Sequence, residues 1–130
     1  MGIKNHIDLI YPELSYKIVG CAFVAYNQLG NGHSEKIYQR ALAEELGIRR
    51  IEFKEQVYVP LLYKGRSIGK IFLDFLVEDK IVVEIKKGNK YSRRHIEQVL
   101  QYIKSTDLRL AILINFGSSE VSFKRIVNIH

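Results

Sequence analysis

Cysteine is nearly absent from this chain. Its 130 residues hold one, Cys21, which excludes an internal disulfide framework and any cysteine-based zinc site. Cys21 lies in an apolar helical pattern and reads as a core thiol. No apolar run approaches the roughly 18 residues of a membrane span, and no signal-peptide pattern opens the chain. No membrane contact is expected, and a reducing cytoplasm is the expected compartment. Repeats, low-complexity stretches and linkers are missing, so residues 1–130 read as a single domain. Zinc-finger spacing and recognition-helix signatures are missing too, so nothing in the sequence is built to read bases.

What is present is an ordinary globular composition with a basic surplus. An apolar fraction of 47% against 26% charged suits a soluble domain with a real core. The net charge of +6 favours anionic partners, of which nucleic acid is the commonest.

The elements follow from pattern. Pro12 suits the first turn of a helix reaching residue 29, with Leu14, Ile18, Cys21 and Ala25 on one face. Tyr16, Val19, Phe23 and Tyr26 form a second apolar face, as in a helix that is deeply buried or meets a partner chain. After "GNGHS" a second helix is expected over residues 34–46, stopped by Gly47. Strands are expected over 53–63, 68–77 and 81–87, with Pro60 marking the first as an edge strand or a bulge. A helix over 93–105 and strands over 108–115 and 121–127 complete the order α-α-β-β-β-α-β-β. One mixed sheet flanked by helices, a mixed α+β fold, is the natural architecture.

The stretch "LDFLVEDKIVVEIKK" is anomalous. Asp74, Glu84 and Lys86 interrupt two apolar strands, and charges buried there are costly unless paired or metal-bound. Alternation puts Ile71, Leu73, Phe75 and Val77 on one face, and Glu84 and Lys86 together on a face of the next strand. A two-residue turn would set Asp74 and Glu84 on opposite faces. A three-residue turn over 78–80, or a bulge, sets them against each other and gathers the apolar sets, so that register is expected. Two facing carboxylates repel unless a proton or a cation intervenes. Oxygen-rich sites with few protein ligands suit Mg²⁺. The other reading is an ion pair between Lys86 and one acid, with the second acid solvated.

Asp74 followed by Glu84-Ile85-Lys86 resembles the core of the PD-(D/E)XK nuclease superfamily, whose restriction-endonuclease-like core has the same element order. "GHSEKIY", with Gly32, Glu35 and Tyr38, is similar to the signature of its GxxExxY branch, and "INFG" (residues 114–117) to that branch's usual strand ending. The resemblance implies a Mg²⁺-dependent phosphodiesterase acting on DNA, with RNA as the alternative and Mn²⁺ as a substitute ion. It implies Asp74, Glu84 and the backbone carbonyl of Ile85 as metal ligands, and Lys86 as the catalytic lysine. Glu35 is implied beside the metal, directly or through water. Gln98 and Tyr102 match a Gln-x-x-x-Tyr pattern that related branches point at DNA. Leu73 stands where the name motif has proline.

The neighbouring residues can be read on their own terms. Glu35 shares a helix side with Tyr38 and Leu42, although an acid in a first turn also suits the helix dipole. His33 reads as a loop or cap residue. Ile96, Val99, Leu100 and Ile103 face the core, with His95, Gln98 and Tyr102 on an adjacent stripe where His95 reads as solvated. Lys86, Lys87, Lys90, Arg93 and Arg94 place five basic residues within nine positions, either a phosphate-binding cluster or a solvated loop. Two other functions fit the same fold: a nucleic-acid-binding module without turnover, and a homodimeric interaction protein joined through the first helix.

Overall fold

Seven consecutive apolar or paired positions at the centre of the chain explain the architecture. β3 (Ile81–Lys87) and β4 (Leu110–Phe116) lie parallel, from Ile81 opposite Leu110 to Lys87 opposite Phe116. A parallel pair needs a crossover, and α3 (Arg93–Lys104) supplies it. In the computed structural model, which describes residues 10–88 and 92–128, this unit is the middle of a five-stranded sheet. β1 (Phe53–Tyr63) and β2 (Arg66–Val77) add antiparallel on one side, and β5 (Val121–Val127) adds antiparallel on the other. The strand order is β1-β2-β3-β4-β5.

Both faces of β3 and β4 are covered. Ile81, Val83, Ile85, Leu110, Ile112 and Ile114 pack against α1 (Pro12–Leu29) and α2 (Glu35–Ile48) through Ile18, Cys21, Tyr38, Leu42 and Leu46. Val82, Ala111 and Leu113 face the other way, onto Val99 and Ile103 of α3. Each fully buried aliphatic side chain contributes about 1.5–3 kcal/mol, so the helix–sheet–helix stack is held mainly from these two strands. No helix among the described residues is long and apolar enough to cross a membrane.

Local chemistry sets the ends. Pro12 opens α1 behind Tyr11, and the Ser34 hydroxyl accepts the Ile37 N–H to cap α2. Gly47 does not stop α2; the helix runs through it to Ile48. Arg50 takes the left-handed conformation (φ 59°) that glycine usually supplies after a helix. The Ile51 N–H then reaches back to the Leu46 carbonyl at 2.9 Å. Pro60 lies on the edge strand, and the register slips between Leu61 and Leu62.

The expected face of β2 is corrected. Phe75 and Val77 do pack on the α1/α2 side, but Ile71 and Leu73 pack on the α3 side. β1 turns over at the same level: Phe53 meets one cluster, Val57 and Val59 the other. Gln56 lies between them, opposite Asp74, with a left-handed backbone (φ 50°). An irregular residue of this kind breaks strict alternation and strengthens local twist. The inversion sits at the level of Asp74.

Candidate active site at an opened strand pair

The turn between β2 and β3 spans residues 78–80, and Val77 pairs with Ile81. Glu78 and Asp79 are both left-handed, and the Lys80 N–H closes on the Val77 carbonyl at 2.9 Å. That odd-length turn sets the expected register, so Asp74 and Glu84 come opposite each other. The ladder itself runs only from Val77↔Ile81 to Phe75↔Val83. At the next position side chains take over from backbone. The Asp74 N–H donates to Glu84 Oε2 at 2.7 Å, and the Ile85 N–H donates to Asp74 Oδ2 at 2.7 Å. Each carboxylate satisfies an amide of the opposite strand, and the sheet opens there.

Electrostatics make this pair uncomfortable. Glu84 is only 5% exposed and Asp74 is half-buried. Burial first, then the Glu84 charge, pushes the Asp74 carboxyl up to about 6 from 3.8; the Ile85 N–H opposes this, Glu35 adds to it and His95 opposes it. Such a pair favours either a proton or a cation.

Three further groups close on the acids. The Glu35 carboxylate, at the exposed start of α2, accepts the Lys87 N–H at 3.2 Å. Glu35 thus aims at the end of β3 but stays at the rim. His95 is not solvated as expected. It is half-buried, with Nε2 at 3.3 Å from Glu84 Oε1. That contact misses hydrogen-bond geometry and leaves Nε2 buried without a hydrogen-bond partner among the described residues, so it attracts by charge when the ring is protonated. Lys86 follows Glu84 on β3, half-buried, and forms no ion pair among the described residues. The pairing of Lys86 with an acid is therefore not realised; His95 stands beside Glu84 instead.

The signature residues before and after the acids brace this edge. Gly32 adopts φ 91°, open only to glycine at little cost. The Tyr38 hydroxyl donates to the Gly30 carbonyl at 2.6 Å, and its ring stacks on Phe116 with centroids 4.4 Å apart. The Tyr26 hydroxyl reaches the Gly117 carbonyl at 2.9 Å. A Cβ at Gly117 would lie 2.8 Å from the Glu120 carbonyl oxygen, so the turn after β4 needs glycine. His33 packs edge-on against Tyr38 and contacts the Leu29 carbonyl, as a loop residue should. Asn115, opposite Lys86 in register, donates to the Gly88 carbonyl at 2.6 Å and so holds the exit of β3.

The remaining expected residues spread outward. Lys87 is exposed, as are Arg93 and Arg94 in the first turn of α3. Basic residues there oppose the helix dipole, so helix stability does not explain them. Lys90 lies outside the described residues. Gln98 and Tyr102 are half-buried and line a groove of about 340 Å³ between α3 and the β1–β2 arm, with Val59, Leu61, Leu62 and Ile71 opposite. Among the described residues no three His, Cys, Asp or Glu side chains are gathered into a metal-holding group. The donor set is two carboxylates, which fits a hard cation that keeps several waters, and Mg²⁺ behaves in this way.

A mixed sheet between helices, opened at an Asp facing a Glu-x-Lys, defines a restriction-endonuclease-like fold. A family model described as the PD-(D/E)XK nuclease superfamily matches residues 12–126, and the chain belongs to that superfamily. Its members are generally hydrolases of phosphodiester bonds and typically use divalent metal ions. No curated protein matches the chain. It is similar to the solved structure described as "Crystal structure of SSO0001", with 18% identity and a TM-score of 0.52. The match covers 94% of this chain and 59% of that one, a likeness of fold across little more than half of the larger protein.

Proposed function

We propose that this chain is a Mg²⁺-dependent phosphodiesterase acting on DNA, of the GxxExxY branch, with Mn²⁺ as a substitute ion. The observation that carries the reading is the pair of side-chain hydrogen bonds where the β2–β3 ladder ends: the Asp74 N–H donates to the Glu84 carboxylate and the Ile85 N–H donates to the Asp74 carboxylate. Asp74, Glu84 and the Ile85 carbonyl would hold the ion. When bound, it supplies positive charge for the scissile phosphate and a more acidic water. Lys86, uncommitted to either acid, orients the attacking water and faces the charge that develops on the phosphate. Glu35 holds a water at the rim, and Lys87, Lys90, Arg93 and Arg94 neutralise flanking phosphates. Gln98 and Tyr102 meet the substrate from α3. The cytoplasm is the proposed compartment, and RNA is the alternative substrate.

The test is calorimetric titration of Mn²⁺ into wild type and Glu84→Ala, with cleavage assays on single-stranded, duplex and branched DNA. The expected outcome is binding and cleavage by wild type and neither by the variant. Salt-sensitive DNA binding with no cation binding by wild type would move the assignment to a module without turnover. One observation favours a second copy as partner: Tyr16 is 82% exposed on the outer side of α1, in a groove of about 670 Å³ that also takes in Phe23 and Phe123. Sedimentation at high concentration tests it, and a monomer removes it.

A further inference from the structure

The arm formed by the outer parts of β1 and β2 carries a feature that the cleavage site does not use. Residues 56–73 contain three basic residues, Lys64, Arg66 and Lys70, and no acid. On this arm Tyr58 pairs directly with Phe72 across the strands. Their ring centroids are 5.8 Å apart, and the two residues are 53% and 48% exposed. Lys70 Nζ lies 5.8 Å from the Phe72 centroid. The other face of the arm, Val57, Val59, Ile71 and Leu73, is anchored on the α3-side core, so alternation directs Tyr58 and Phe72 away from it.

We infer that Tyr58 and Phe72 form a stacking platform for unpaired bases, and that the substrate enters the site as a single strand or a frayed end. This rests on the nuclease reading and names its substrate class. Phe72 precedes Asp74 by two residues on β2, about 7 Å between Cα atoms, on the face turned away from α3. Glu84 and Lys86 face α3, so a strand stacked on the rings would reach the acids through the opened end of the β2–β3 ladder. Exposed aromatic rings flanked by cations are what sequence-tolerant binding of single strands uses, because every base offers a π face. Bases stacked within a continuous duplex do not offer theirs. A cross-strand aromatic pair does support its sheet, by about 0.2–1 kcal/mol, but that role does not require both residues to stand about half exposed. Charge argues against a second copy as the occupant. A two-fold contact would set this patch against itself, bringing two sets of basic residues together with no acid between them.

The experiment measures binding by fluorescence anisotropy, in EDTA, of a labelled oligothymidine and of a labelled hairpin duplex to the full chain. Tyr58→Ala and Phe72→Ala should each weaken oligothymidine binding about tenfold, with duplex binding changed less than about twofold. Tyr58→Phe, which keeps the ring, should bind like wild type. With Mn²⁺, the alanine variants should raise KM on single strands and leave kcat unchanged. Unaltered oligothymidine binding, or equal losses on both probes, overturns the platform. So does a wild-type dimer that Tyr58→Ala/Phe72→Ala converts to monomer, since the rings would then face protein. The two readings fail separately. A wild type that cleaves while the variants bind normally loses only the platform; one that binds through the rings and never cleaves loses only the nuclease.

Discussion

The two borders of β3 are built in opposite ways. Toward β4 all seven residues from Ile81 to Lys87 are paired, and Ile81, Val82, Val83 and Ile85 are sealed by apolar side chains. Toward β2 only Ile81, Val82 and Val83 are paired, and beyond them two carboxylates replace backbone carbonyls as acceptors. One strand is thus clamped along one edge and opened along the other. The clamp can hold Glu84 and Lys86 in place without touching either side chain, and the gap gives those side chains somewhere to act. Positioning of this kind is worth more on regular strands than on loops.

Substitutions on the two borders should separate activity from stability. On the open side, Lys86→Ala is predicted to lower the cleavage rate by about 10²–10³-fold or more, with an unchanged unfolding midpoint. On the clamped side, Ile114→Ala should cost about 2–5 kcal/mol of stability and leave cleavage per folded molecule near wild type. Urea denaturation and single-turnover cleavage read both. Comparable activity losses in the two variants would erase the distinction between the borders.

The burial of Asp74, together with its repulsion by Glu84, should be visible as pH-dependent stability. The Asp74 carboxyl is raised in the folded state, from 3.8 to about 6. Its contribution is therefore fully favourable below pH 3.8 and is lost as pH rises through about 6. At about 1.4 kcal/mol per unit, the metal-free wild type loses up to about 3 kcal/mol over that window. Asp74→Asn has no charge to lose. Its stability relative to wild type should climb between pH 4 and 7 in urea melts with EDTA, and Mn²⁺ should shrink the difference. A flat difference across that window would mean that neither burial nor the Glu84 charge raises the Asp74 carboxyl.

The smallest effect concerns the contact between α3 and the gap. His95→Ala should weaken Mn²⁺ binding about tenfold in calorimetry, the size usual for groups that orient a ligand. His95→Gln should recover part of it. Equal affinity in all three proteins would make His95 a packing residue.

Much of this was legible because it is local. Alternation and the two acids' spacing pointed to an odd turn over residues 78–80 or a bulge, and Pro60 to an edge strand or a bulge. Gly32, Tyr38 and Gly117 stand out as turn and packing residues once their neighbours are known. The helix end at Gly47 misled, because Arg50 accepted the left-handed backbone instead. His95 was misassigned as solvated: its own helix shows only a polar stripe, and its partner Glu84 lies on another element.

The sequence by itself determined the order of elements, the register that sets Asp74 against Glu84, and the superfamily. These depend on periods of two and 3.6 residues and on one turn, all written in neighbouring positions. Only the tertiary structure decided that the ladder ends at the acids, that β1 and β2 turn over together at Gln56 and Asp74, and that Tyr58 and Phe72 are left in solvent. Those outcomes depend on which helix covers which face, a contact between distant segments that no local pattern contains.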